Sequence, residues 1–203
     1  MQKINQKEVW NKIAKDWFVK RSKPFKQITK ELQNLSNKKS GKILDIGCGN
    51  CRNLLMFAKK KFDCYGVDFS KEMIKYAKEF CNKNNIKVNL KVANAERLPF
   101  KDNFFDYILF IAVLHHVNNK KKALQELKRV LKDNGLALIT VWNRLQLRFI
   151  FKPKELYVSW GKHLRYYYLF NYFEFKKLLK SLNFKIIKSK GMFNKNLIFL
   201  VRK

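Results

Sequence analysis

The stretch 42-KILDIGCGNCRNLL-55 decides what kind of fold this chain adopts. An apolar run ends at a loop that holds both a Gly47-x-Gly49 pair and a Cys48-x-x-Cys51 pair. A strand followed by CxxC at a helix start is a redox signature, because a helix N-terminus lowers a thiol's pKa. A strand followed by GxG is a nucleotide cradle, because glycine permits a tight turn and close backbone approach to a ligand. Working outward, "YGVDFS" places Asp68 at the end of a second apolar run, 19 residues after Gly49. An acidic side chain at that spacing is placed to accept hydrogen bonds from ribose hydroxyls. Cys64, Cys81 and His163 supply no zinc-ligand spacing. The glycine reading prevails, and a thiol oxidoreductase stays as an alternative that needs Cys48 and Cys51 to react. A dinucleotide fingerprint would place a third glycine at position 52, which is Arg, and Asp45 precedes the loop as a leading carboxylate.

The remaining pattern extends this strand–loop unit. Trp10, Ile13, Ala14, Trp17 and Phe18 form one helical stripe, and Pro24 interrupts it. Phe25, Ile28, Leu32 and Leu35 make a second apolar face. After Ser40-Gly41, short apolar runs alternate with helical stretches. "KILDIG" reads as a strand, 51–60 as a helix, "DCYGVD" as a strand, and Ser70 as the N-cap of the next helix. "IKVNLKVA" and "FDYILFIAV" are a third and a fourth strand, the latter apolar throughout as a central parallel strand should be. A helix carrying Ala123, Leu124, Leu127, Val130 and Leu131 is predicted to stop at Asn134-Gly135, before a fifth strand "LALITVW". Residues 144–165 read as irregular. A helix over 171–182 precedes "NFKIIKSKG" and "NLIFLVRK", which read as a terminal hairpin. Such alternation implies a mostly parallel sheet with helices on both faces, and a ligand site beyond the carboxyl ends of its strands.

Composition narrows the function classes. With 203 residues, 47% of them hydrophobic, the chain is large enough for one folded domain. Its apolar runs are too short to span a membrane, and "MQKINQKEVW" lacks the apolar core of a signal peptide. Four scattered cysteines then predict a cytoplasmic protein with reduced thiols and no membrane partner. The 45 basic against 15 acidic residues, formally +30, favour a polyanionic partner. Lys, Asn, Ile and Phe are all abundant, so overall composition offers a second source of that charge.

"ILDIGCGN", "GVDFS", "VANAERLPF", "FDYILFIAVLHHV" and "LKDNGLALIT", in this order, resemble a class I S-adenosylmethionine-dependent methyltransferase. The resemblance implies an α/β, Rossmann-like fold with a mostly parallel seven-stranded sheet and a C-terminal antiparallel hairpin. It implies S-adenosylmethionine as cofactor. Asp45, Gly47, Cys48 and Gly49 would border its methionine part, and Asp68 with Phe69 its ribose. Asn94 and Ala95 would meet adenine, with Ile111, Ala112 and Val113 lining the pocket. Asn94 stands where Asp is commoner, and Cys51 where a third glycine is frequent. The 203 residues then divide into N-terminal helices (1–40), a cofactor-binding core (41–142), a substrate-side insertion (143–170), and a C-terminal helix and hairpin (171–203).

"VWNKIAKDWFVKRSKPF", "IAVLHHV" and "YVSWGKHLRYYYLFNYFEF" extend the likeness over nearly the whole chain, to the tRNA wobble-uridine methyltransferases that esterify 5-carboxymethyluridine. Tyr168 departs from the His usual there. A carboxylate is ionised at neutral pH, so such chemistry needs orientation and dehydration more than a strong base. Arg21, Arg165 and His116 are the candidates for holding the substrate, while His115 reads as support for its loop. The subfamily also implies a small zinc-binding activator subunit, pairing with the sheet edge at Ile86 to Val92, with tRNA as the other partner. The core motifs fit two further functions: a methyltransferase for a quinone or biosynthetic acid, and a non-catalytic RNA-binding subunit with this fold.

Overall fold

The computed structural model describes residues 4–21, 23, 28–37, 40–60 and 62–203. The expected break at Pro24 and the apolar contribution of Phe25 lie outside the described residues. Helices α1 (Gln6–Lys20) and α2 (Thr29–Ser36) lead into β1 (Gly41–Ile46), α3 (Leu55–Ala58), β2 (Phe62–Asp68), α4 (Lys71–Lys83), β3 (Asn89–Val92) and β4 (Phe105–Ile111). They are followed by α5 (Lys120–Val130), β5 (Leu131–Trp142), β6 (Glu155–Trp160), β7 (His163–Tyr168), α6 (Tyr172–Ser181), β8 (Lys185–Lys190) and β9 (Asn196–Arg202).

Seven strands form one sheet in the order β3-β2-β1-β4-β5-β9-β8. The first five are parallel, and β9 and β8 join antiparallel as the expected hairpin. Alternation along each strand sends residues to opposite faces. Ile108 and Phe110 of β4 pack with α5 and α6 residues such as Leu124 and Phe175, while Leu109 and Ile111 pack with Ile28 and Leu32 on the α2 side. Leu109 and Phe110 are fully buried, each worth about 2–3 kcal/mol of transfer free energy. This two-sided burial is why β4 reads as a continuous apolar run.

Three local expectations change. The helix expected over 51–60 is a four-residue turn of helix, because Cys51 takes a positive φ of 64° and residues 52–54 continue as turns. The fifth helix stops at Val130 rather than at Asn134-Gly135. Leu131 is already extended and pairs with Phe105, and the irregularity before the Tyr107–Leu136 pair accommodates Asn134 at φ 65°. The segment expected to be irregular contains a second sheet, β6 against β7, closed by a two-residue turn with Gly161 at φ 55°.

The crossovers from β1 and β4 leave in opposite directions, so the crevice beyond these neighbouring strands is the switch point. Helix α1 roofs it. Asn11 Oδ1 accepts from Ser70 Oγ (2.7 Å) at the start of α4, and Gln6 Oε1 accepts from Tyr166 N–H (2.9 Å) on β7. No helix among the described residues is long and apolar enough to cross a membrane.

Candidate active site

A cavity of about 1070 Å³ opens at this switch point. Its floor is the glycine loop. Gly47 and Cys48 N–H both donate to the Val67 carbonyl (2.7 and 2.9 Å), tying the loop to the end of β2. Gly47 and Gly49 take φ of 68° and 53°, where glycine is the least strained residue. A Cβ on Gly47 would lie 2.4 Å from Val113 Cγ2. Both glycines therefore act through backbone shape.

Asp68 closes one side. Its Oδ2 accepts from Gly49 N–H (3.1 Å) and its Oδ1 from Ser70 N–H (3.0 Å). Burial pushes its pKa up to about 6, against the lowering by the backbone N–H groups of Ser70, Gly49 and Phe69. Asp45 lies beneath the loop, buried. Burial raises it to about 7, opposed by the Arg52 guanidinium and by Asn53.

Of the residues expected at the cofactor, Gly47, Cys48, Gly49, Asp68, Phe69, Asn94, Ala95, Ile111, Ala112 and Val113 all line this one cavity. Asp45 does not, and stands behind the loop. Asn94 Oδ1 already accepts from Glu96 N–H (2.9 Å), leaving its other lone pair for a ligand. Ala112 holds a strained φ of 57°, secured by its N–H donating to both the carbonyl (3.1 Å) and hydroxyl (2.9 Å) of Thr140.

The substrate-side expectations divide. His116 lines the cavity, and its Nδ1 lies 2.7 Å from the Tyr166 carbonyl, so Nδ1 carries the proton and Nε2 is the bare acceptor. Burial lowers its pKa to about 3. His115 is buried beside it, accepting from Trp142 N–H (3.3 Å) and stacked on Tyr167 at 5.2 Å, a supporting position.

Arg21 and Arg165 do not line the cavity, which corrects their expected place at its surface. Arg165 occupies an inward position of β7, 5% exposed. Its guanidinium sits 4.9 Å from the Trp160 ring and 5.9 Å from Trp10. Arg21 ends α1 with its guanidinium over Trp17 (5.6 Å) and Trp160 (5.7 Å). Indoles stand between both cations and the cavity. Tyr168, at the position of the expected His, also points elsewhere: its hydroxyl donates to Glu174 (2.5 Å).

Sequence reasoning missed Trp10 and Trp17 as cavity walls, and also Arg52, Lys120 and Tyr166. The indoles sit in a helical stripe that reads as core, and Trp17 indeed covers Gly49 at 3.6 Å from a built Cβ. Lys120 donates to the Tyr166 hydroxyl (3.2 Å) and lies 4.3 Å over the Tyr168 ring.

The thiol alternative loses its chemistry here. Contact with Cys51 works to lower Cys48, but burial and nearby Asp68 leave it raised to about 11. Such a thiol stays protonated and weakly nucleophilic at neutral pH. Among the described residues no cluster of His, Cys, Asp and Glu could hold a metal ion.

Fold and cavity define a nucleotide-cofactor enzyme of the doubly wound type, and comparison with known proteins narrows it. A methyltransferase-domain family model matches residues 44–139. The ubiquinone biosynthesis O-methyltransferase of Pelagibacter ubique is 31% identical over 170 residues, 74% of this chain and 70% of that protein. The tRNA (carboxymethyluridine(34)-5-O)-methyltransferase of Arabidopsis thaliana is 36% identical over 137 residues, 66% of this chain. A solved SAM-dependent methyltransferase from Aquifex aeolicus superposes with a TM-score of 0.68 at 20% identity, covering 98% of each chain. The chain belongs to the S-adenosylmethionine-dependent methyltransferases. It spans 57% of the length of its Methanocaldococcus jannaschii relative MJ1252, and 31% of the Arabidopsis enzyme.

The cavity fits the family's cofactor, S-adenosylmethionine, on its own geometry. Its volume suits a drug-sized ligand. A side chain at Gly47 would fill the cradle, and Asp68 is an ionisable acceptor on the wall. Buried Asp45 Oδ2 has no hydrogen-bond partner among the described residues, leaving an ionisable acceptor beneath the end that would receive a cation. When bound, the cofactor supplies an electrophilic methyl group on a sulfonium. Asp68 would hold its ribose, the Gly47–Gly49 backbone its amino-acid part, and Asn94 and Ala95 its base.

A pH dependence follows. Asp68 titrates near 6 in the free protein and must be ionised to accept from two hydroxyls. Cofactor affinity should therefore climb about tenfold per pH unit below pH 6 through Asp68 and rise more gently beyond it as Asp45 (about 7) ionises, levelling off only above about pH 7. Calorimetric titration with S-adenosylhomocysteine from about pH 5 to about pH 8 checks this. A flat profile would contradict it, and Asp68→Asn should flatten it.

Proposed function

We propose that this chain methylates the carboxylate of a 5-carboxymethyl group on a tRNA wobble uridine. The observation that carries the reading is the state of His116, the imidazole in the cavity. Its pKa near 3 makes it a weak base, and its Nδ1–H is committed to a carbonyl. A phenol, with a pKa near 10, needs its proton removed before it attacks a methyl group, whereas a carboxylate near pKa 4 does not. One carboxylate oxygen attacks the methyl carbon in line with the carbon–sulfur bond. That bond breaks, and an ester and S-adenosylhomocysteine result with no proton released.

In this reading His116 Nε2 accepts from the uracil N–H, the positive field of Arg165 and Arg21 behind the indoles favours a carboxylate inside the cavity, and α1 excludes water. The net charge of +30 and the Arabidopsis relative support RNA as the carrier of that carboxylate. An activator subunit belongs to the same proposal. β3 is the outer strand of the sheet with Val92 half exposed, and an added strand pairs along such an edge.

The test is nucleoside mass spectrometry of tRNA carrying 5-carboxymethyluridine, incubated with the protein, a zinc-binding activator and labelled cofactor. The methyl ester is expected, with Arg165→Ala lowering its yield about tenfold through the lost charge and Arg165→Lys, which keeps that charge, less. Label on an added dihydroxyphenyl quinone precursor, with none on tRNA, would replace this reading by the small-molecule one.

A further inference from the structure

One corner of the molecule remains unexplained by the cavity. Beyond the C-terminal end of β5, the segment after Asn143 folds against the β8–β9 turn. Asn143 Nδ2 donates to the carbonyls of Gly191 (3.2 Å), Met192 (2.8 Å) and Asn194 (2.9 Å), and Gln146 Nε2 donates to that of Lys195 (3.0 Å). These bonds fix two loops side by side, yet their apolar side chains face solvent. Phe151 is 97% exposed, Leu147 89% and Phe193 86%. Single exposed apolar residues are ordinary, but several gathered on adjoining loops mark an interaction site.

Charge identifies the occupant. From 134 to 154, and again from 175 to 203, the sequence holds no Asp or Glu. Lys154 and Lys190 find carboxylates on other elements, Glu174 and Glu31. Among the described residues, Arg144, Arg148, Lys152 and Lys195 pair with none. Arg148 instead holds its guanidinium 4.7 Å from the Trp142 ring and 4.4 Å from the Phe149 ring. Aromatic rings and a guanidinium beside them in a field of unneutralised cations form the surface that unpaired bases and their phosphates require. A protein partner would need acidic complements without exploiting the ring faces, and a duplex would offer no base faces to Phe151 and Phe193.

We propose that this corner is the docking surface for the unpaired bases of an RNA loop, with Phe151 and Phe193 as stacking platforms. The proposal deepens the tRNA reading above, and rests on it, by naming where the loop lies. The corner and the cavity share the C-terminal end of the parallel strands, so one loop can reach both.

The test compares an unmodified anticodon stem–loop RNA with a blunt duplex of equal charge, using fluorescence anisotropy and the full chain. Phe151→Ala/Phe193→Ala should weaken stem–loop binding at least tenfold and leave duplex binding unchanged. Lys152→Ala/Lys195→Ala should lower the salt slope for both probes by about two. Cofactor affinity and thermal melting should match wild type in each, since these side chains are exposed and away from the cavity. Unchanged stem–loop affinity in the phenylalanine variant would overturn the proposal. So would loss of capture by phosphatidylglycerol vesicles with RNA binding intact. If tRNA receives no methyl group but the phenylalanine variant still loses stem–loop binding, the wobble reading fails and the docking surface stands. If tRNA is methylated and the variant binds as wild type, the reverse holds.

Discussion

Asp68→Ala is expected to abolish measurable cofactor binding while leaving the chain folded. Two charge-assisted hydrogen bonds to ribose hydroxyls, each worth about 1.5–3 kcal/mol, disappear together. The expected loss exceeds a hundredfold in affinity. The variant also frees Gly49 N–H, which Asp68 Oδ2 holds at 3.1 Å, so the cradle loosens. Stability moves in the other direction. The carboxyl of Asp68 is raised from 3.8 to about 6 by burial. A raised acid contributes stability below its unfolded pKa and loses it as pH rises to the folded one. The fold therefore carries a penalty of about 3 kcal/mol above pH 6 that is absent below about pH 4. Removing the carboxylate relieves that penalty and offsets the lost N–H contacts. Calorimetry and melting measured on one preparation check both halves: binding lost, melting temperature nearly unchanged.

Gly47→Ala should have the opposite signature, losing stability and cofactor together. Its φ of 68° costs an L-residue about 1–2 kcal/mol. The new Cβ would meet Val113 Cγ2 at 2.4 Å and Cγ1 at 2.7 Å, closer than any real contact. Overpacking of that kind adds about 1–3 kcal/mol. For a chain of this size the sum lowers the melting temperature by about 5–15 °C. Val113 is itself a wall of the cavity, so its displacement spreads the damage to the cofactor. Adding Val113→Ala should restore the part due to collision and leave the part due to backbone strain. Full recovery in the double variant would show that φ carries no cost there, and no recovery that Val113 is not the obstacle.

These two residues were legible in the sequence for a physical reason. The glycine loop and Asp68 lie within consecutive β–α units, where a local spacing becomes a fixed geometry. The same holds for Ile111 to Val113 at the end of β4, since a buried strand announces itself by composition. Arg21 and Arg165, read as candidates for holding the carboxylate, stand outside the cavity lining, because their positions depend on how α1 meets the β6–β7 hairpin. Nothing local encodes that contact. The hairpin itself was missed although Leu156, Val158 and Trp160 alternate and Gly161 supplies its turn. The Arg and Tyr content of that stretch masked a period of two. Trp10 and Trp17 read as core, and they are core on one side. Their other side becomes cavity wall only once α1 is laid across the switch point. The early end of α5 was hidden by Leu131, which continues the helical apolar period but pairs with Phe105 instead.

The central claim is that the crossover after β1 forms a cradle for an adenosyl sulfonium, clamped at its sugar by Asp68. A crystal structure of the full chain grown with S-adenosylhomocysteine tests it most directly. The nucleoside is expected between Gly47–Gly49 and Asn94, with both ribose hydroxyls about 3 Å from the Asp68 carboxylate. Density for the nucleoside anywhere else, or a ribose turned away from Asp68, would contradict it.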